Sequence, residues 1–147
     1  MEYFQTAQGF ETFHVLESFD WSVLKAGSTV VDVGGSHGIA SIEVARKYPS
    51  LHFVVQDREE VIKAAKLPDD VADRVKFMPY DFFQQQPVKD ADVYYYRWIF
   101  HNWSDKYCRK ICEALIPALK PGARLLIQDI LLPEPGQLSF YQERKAR

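Results

Sequence analysis

Four clusters of residues in this chain have the types and spacing that do chemistry. The first is "VVDVGGSHG", Val30 to Gly38, where Asp32 stands two residues before the first of three glycines, Gly34, Gly35 and Gly38. Glycines after an apolar run and before a helix let the backbone approach a ligand closely, and the helix N-terminus favours an anionic group. The second and third are single carboxylates, Asp57 and Asp81, each at the end of a later apolar run. An acidic side chain about 20 residues after a glycine turn is placed to take the two hydroxyls of a ribose. Asp81 is placed to accept from an adenine amine. Taken singly, Asp57 reads equally well as a helix N-cap and Asp81 as the cap of a turn. The fourth cluster is "YYYRWIFHNWSDKYC", Tyr94 to Cys108, with His101 at its centre.

The glycine spacing narrows the ligand. It does not fit the G-x-G-x-x-G of dinucleotide sites, and no Gly-Lys-Ser/Thr follows as in a P-loop. A carboxylate at Asp32 is unfavourable beside a pyrophosphate and favourable beside a cation. S-adenosylmethionine (SAM) carries an ammonium and a sulfonium and no phosphate, and so fits this turn. A histidine titrates near neutrality and serves as a general base. In the same crevice His101 would take the proton of a hydroxyl as its oxygen attacks the sulfonium methyl, an in-line displacement in which positioning does most of the work. Trp98, Phe100 and Trp103 are the expected apolar walls, with cation–π contact to the sulfonium open to them.

These clusters need a frame that brings them together. Apolar runs at 29–33, 52–56, 74–79, 91–96 and 123–130 alternate with helical patterns over 36–48, 59–67 and a segment capped by Ser104. Near-continuous hydrophobicity predicts strands buried on both faces, as in a parallel sheet. The alternation predicts an α/β fold: a doubly wound, mostly parallel sheet with right-handed crossovers. In such sheets ligands sit outside the carboxyl ends of the strands. All four clusters fall at such ends.

Bulk properties exclude several classes. At 147 residues the chain is one domain's worth, with 47% hydrophobic and 26% charged residues. Its formal net charge of −2 gives no reason to expect nucleic acid or an anionic membrane as partner. No apolar run is long enough to cross a membrane. "MEYFQTAQGF" lacks the basic and apolar regions of a signal peptide, so a cytoplasmic protein is expected. Cys108 and Cys112, without a His cluster nearby, are expected to be buried free thiols, and no metal site is expected. His14 and His52 read as packing or surface residues, and Tyr94–Tyr96 as strand packing.

"VVDVGGSHG", "FVVQD", "RVKFMPYDFF", "RWIFHNWSD" and "LKPGARLLIQDILLPEPG", in that order, resemble the catalytic domain of the plant and fungal class I O-methyltransferases, above all the fungal secondary-metabolite branch. The resemblance covers Phe19 to about Arg147, and "FETFHVLESFDW" resembles the helix leading into that domain. It implies a helical lead-in over 1–28 and a partial SAM-binding domain over 29–147, incomplete after the fifth strand. It implies that Gly34, Gly35, Gly38 and Asp57 bind SAM, that Asp81 and Phe82 hold the adenine, and that Arg97 contacts the cofactor. Asp32 is kept as a cofactor residue from the turn itself. His101 would be the base, with Trp103 beside the cofactor, and S-adenosylhomocysteine the product. The acceptor would be a small molecule bearing a hydroxyl, aromatic or polyketide-like.

Two positions depart from the family pattern: Asn102 stands where Asp is common, and Arg58 where an apolar residue is typical. Family members are more than twice as long. They begin with a dimerisation domain and continue past the fifth strand with helices, two more strands and an acid that orients the histidine. The chain is therefore expected to be a fragment, a truncated gene product, or one completed by a homodimer or a partner chain. Two alternatives stand beside methyl transfer: a SAM-binding protein that transfers no methyl group, and a SAM-binding scaffold for another reaction. A nicotinamide dehydrogenase ranks last on the glycine spacing.

Overall fold

The computed structural model describes residues 13–129. In chain order these form α1 (Phe13–Ser18), β1 (Thr29–Val33), α2 (Ile39–Lys47), β2 (His52–Asp57), α3 (Glu59–Ala64), β3 (Val75–Pro79), β4 (Val93–Arg97), α4 (Asp105–Leu115) and β5 (Arg124–Gln128). The five strands make one sheet in the order β3-β2-β1-β4-β5, and each pairing is parallel. The order reverses between β1 and β4, which opens a crevice at their carboxyl ends.

Burial explains why β1 and β4 occupy the centre. Val30, Val31, Val33, Val93, Tyr94, Tyr95 and Tyr96 are all at most 1% exposed. Alternate residues feed two cores. Val30, Val93 and Tyr95 join Trp21, Val44 and Phe53 on one face. Val31, Val33, Tyr94 and Tyr96 join Ile111 and Leu115 of α4 on the other. Trp21 stitches the segment after α1 into the first core: its indole N–H donates to Val15 O at 2.9 Å and its ring meets Tyr95 edge-on at 5.8 Å. The tyrosine run is strand packing, and the Tyr94 hydroxyl, donating to Val88 O at 2.7 Å, ties β4 to the loop before it.

β5 departs from the expectation of burial on both faces. Leu125 is 45% and Ile127 49% exposed, because among the described residues no helix covers that face and only β4 flanks the strand. The helix expected over 36–48 starts at Ile39 instead. Ser36 (φ +54°) and Gly38 (φ +74°) are left-handed and hold the preceding residues in a turn. α3 stops at Ala64, and α4 at Leu115, where Pro117 sits in a 3-10 turn over Ile116–Ala118. Ser104 is the N-cap of α4 by position, but its side chain makes no capping hydrogen bond. Cys108 and Cys112 are free and only partly buried, since α4 presents them near the edge of its packed face. Residues 1–12 and 130–147 lie outside the described residues, so the lead-in before Phe13, the end of the fifth apolar run, "LLPEPG" and "QERKAR" do too. Among the described residues no helix is long and apolar enough to cross a membrane, and no cluster of His, Cys, Asp or Glu is arranged for a metal.

Candidate active site

The glycine turn is built against β2. The Gly34 and Gly35 N–H groups both donate to Gln56 O, at 2.8 and 3.0 Å. Gly34 has φ +73°, and a Cβ there would lie 2.5 Å from Ile99 Cδ1. A Cβ on Gly35 would lie 2.6 Å from the Asp32 carboxylate and 2.8 Å from Val55 Cγ1. Only glycine therefore fits at either position. Asp57 clamps the turn from the end of β2: Oδ2 accepts from Ser36 N–H at 2.9 Å and Oδ1 from Arg58 N–H at 2.8 Å. Each carboxylate oxygen keeps a lone pair for a ligand.

Asp32 lies beneath the turn, 2% exposed, accepting from the Ser41 hydroxyl at 2.6 Å. Burial pushes its pKa up to about 6; the Ser41 hydrogen bond and the Arg97 charge oppose the rise, and Asp57 adds to it. The neighbouring Ser36 hydroxyl is buried without a hydrogen-bond partner.

On the β3 side, Asp81 is exposed and closes a tight turn, its Oδ1 accepting from Phe83 N–H at 3.0 Å and its backbone O from Gln84 N–H at 2.8 Å. Phe82 and Phe83 pack edge-to-face on Trp103, with centroids 5.9 and 4.8 Å away. Beyond β4, Trp98 takes φ +58°, uncommon for a bulky side chain, and its ring meets His101 edge-on at 5.5 Å. His101 Nδ1 lies 2.7 Å from Asp129 Oδ1, and its backbone N–H donates to Asp129 Oδ2 at 3.1 Å. One carboxylate thus holds both the ring and the main chain of His101.

A cavity of about 800 Å³ joins these pieces. Asp32, Gly34, Gly35 and Asp57 line one wall, Asp81 and Phe82 the far end, and Arg97, His101 and Trp103 the other wall. Two of the residues expected at the site are not on its wall, Gly38 and Phe100: Gly38 caps α2 beneath Phe77, whose ring a Cβ would meet at 3.0 Å. Trp98 lines the cavity as expected, whereas Phe100 packs on Tyr96 at 5.3 Å. Arg58 and Asn102, the two departures from the family pattern, both face the cavity.

The family model for the O-methyltransferase domain matches residues 1–144. The chain belongs to the O-methyltransferase family. Among its relatives, the grayanic acid biosynthesis cluster O-methyltransferase of Cladonia grayi is 47% identical over 151 aligned residues, which take in 100% of this chain and 33% of that protein. The chain spans about a third of the length of several of the curated relatives it matches, and less of others. Among solved structures, that of CalO1, a methyltransferase in calicheamicin biosynthesis in its SAH-bound form, superposes with a TM-score of 0.81 at 30% identity, covering 97% of this chain and 41% of that one. A structure described as a pericyclic reaction enzyme gives 0.68 at 31% identity, covering 86% and 32%. The fold expected from the sequence is the one these family neighbours share.

Three features of the site were not read from the sequence. Asp129 is the main one: an orienting acid was expected beyond the further strands, and the structure supplies one directly after β5. The rule that singled out Asp32, Asp57 and Asp81, a carboxylate at a strand's carboxyl end, applies equally to "LLIQD". Ser41 carries no signal beyond a place inside a helical pattern, yet it lies nine residues after Asp32 and bonds to it. Ser36 has no signal beyond its place between Gly35 and Gly38.

Proposed function

We propose that this chain is the cofactor-binding part of a SAM-dependent O-methyltransferase, with His101 as general base toward a hydroxyl of a small aromatic or polyketide-like acceptor. The observation that carries this reading is the meeting, in one cavity, of a glycine turn unsuited to phosphate and a histidine clamped by Asp129. The family's SAH-bound structural neighbour supports it.

The residues present fit the cofactor. The turn carbonyls at Gly34 and Gly35, the Arg97 guanidinium and the unpartnered Ser36 hydroxyl offer hydrogen bonds to an amino-acid tail. Asp57 has lone pairs left for ribose hydroxyls, and Asp81 with Phe82 offers an acceptor and an apolar face to the adenine. When bound, SAM supplies a sulfonium-activated methyl group. Asp129 holds the Nδ1 proton of His101, which leaves Nε2 as the acceptor. An acceptor hydroxyl donates to that nitrogen and loses its proton there, and the Asp129 carboxylate stabilises the imidazolium that forms. The Trp98 edge limits ring rotation, and Phe82 and Trp103 keep water from the reacting atoms.

The test is His101→Ala in the full-length protein. Methyl transfer is expected to fall by about 10²- to 10⁴-fold, with SAM affinity retained in calorimetric titration. Unchanged turnover would remove His101 from the mechanism. The likeness to a pericyclic reaction enzyme favours one second reading, SAM binding without methyl transfer. Methyl-labelled SAM separates the two: label appearing in a hydroxylated acceptor supports the first, and label retained on bound SAM supports the second.

A further inference from the structure

We propose that the buried amide pair Gln56–Gln86 is a positioning device, setting the glycine turn and the Asp81–Phe83 loop at the separation that one cofactor molecule spans. The inference rests on the cofactor reading above. The two side chains are 0% and 1% exposed and neither lines the cavity. Each amide donates to the other: Gln56 Nε2 to Gln86 Oε1 at 2.8 Å, and Gln86 Nε2 to Gln56 Oε1 at 2.9 Å.

What each glutamine also holds gives the pair its meaning. The Gln56 carbonyl is the acceptor for both Gly34 and Gly35 N–H, so the residue is the floor of the glycine turn. Gln86 ends the loop that carries Asp81, Phe82 and Phe83. Its backbone N–H donates to Ala114 O of α4 at 2.9 Å, and its Oε1 also accepts from Val88 N–H at 3.0 Å. Within the loop, the Tyr80 hydroxyl donates to Gln84 O at 2.7 Å, which stiffens the stretch between Asp81 and Gln86. The two ends of the cavity are therefore joined through one residue of β2 and one reciprocal amide contact. Two apolar side chains would fill the same space at modest cost in stability, since neither amide is then left unpaired and only the part-buried Val88 N–H loses its acceptor. They would lack the directionality of paired hydrogen bonds, which rigidify a buried contact into one arrangement.

The experiment compares the full chain with Q56M, Q86M and Q56M/Q86M, reading melting temperature and the dissociation constant for S-adenosylhomocysteine. Each single variant orphans a buried amide and is expected to lower both. The double variant is expected to melt within about 4 °C of the parent and still to bind about tenfold more weakly, because the preorganisation is gone. Recovery of affinity together with melting temperature would overturn the proposal and reduce the pair to core packing. Q56L/Q86L, of different shape, serves if the methionine pair does not fold; failure of both double variants to fold would also overturn it, since the pair's work would then lie in the fold. Absence of binding by the parent chain is a different result: it removes the cofactor reading itself.

Discussion

On the β1–β2 side of the cavity, the glycine turn is tied down through its backbone N–H groups. Two N–H groups go to Gln56 O, a third goes to Asp57, and Asp32 is sealed beneath with Ser41. On the β4–β5 side, the His101 side chain is 34% exposed, with its polar contacts going to Asp129 and the Trp98 ring beside it. Both walls face the same space, yet the first is fixed by packing that leaves no room for a methyl group, and the second by a carboxylate and a ring edge. The difference suits the roles proposed for the two walls. A wall that surrounds a cofactor gains affinity by being rigid before the ligand arrives. A base must keep one nitrogen accessible to the acceptor, so it is oriented from behind and left open in front.

Breaking the rigid wall should have the largest effect. In Gly35→Ala the new methyl meets the Asp32 carboxylate at 2.6 Å and Val55 Cγ1 at 2.8 Å, both buried and unable to retreat. We expect a stability loss of about 3 kcal/mol, read by chemical denaturation, and SAM binding too weak for calorimetry. Gly122→Ala is the control: φ +81° makes it strained, but nothing lies within 4 Å of its Cβ, so it should lower stability by about 1 kcal/mol and leave SAM affinity unchanged.

Breaking the open wall should cost less and leave stability nearly intact. Asp129→Asn keeps the shape and an acceptor for the His101 backbone but removes the charge that balances an imidazolium. Turnover is expected to fall by about 10- to 100-fold, less than in His101→Ala, with the KM for SAM unchanged. If turnover held and SAM affinity fell instead, Asp129 would belong to the cofactor wall and the division between the two walls would fail.

The two walls also differ in how far they could be read from residues alone. β1 and β4 were legible because a strand covered on both faces writes itself as an unbroken apolar run. The carboxylates at 32, 57 and 81 were legible because strand ends in a parallel sheet converge. Asp129 obeys the same rule, but the apolar run 123–130 continues through Ile130, so Asp129 reads as strand interior. The exposed face of β5 was not legible, since Leu125 and Ile127 are as apolar as their counterparts in β4; exposure depends on which elements lie above the strand. Nor was the Gln56–Gln86 contact, because two amides 30 residues apart carry no spacing signal and meet only once the sheet is assembled.

The smallest expected effect sharpens the account of the rigid wall, and it concerns Asp32. Its pKa is raised to about 6 by burial, above the ordinary 3.8 that it has in an unfolded chain. Between about pH 4 and 6 the folded chain therefore binds more protons than the unfolded one, and this residue's contribution to stability falls as pH rises through that window. Above pH 6 the buried carboxylate is ionised and its full cost is present. Asp32→Asn removes the titration while keeping an oxygen for the Ser41 hydroxyl. The new amide N–H groups must still find acceptors under Gly35, which offsets part of the gain. The variant should lie about 1 kcal/mol below the parent near pH 4 and exceed it by about 1 kcal/mol at pH 8, measured by urea denaturation across that range. A constant difference at every pH would mean that Asp32 does not change charge in this window, and that the turn rests on a carboxylate in one fixed state.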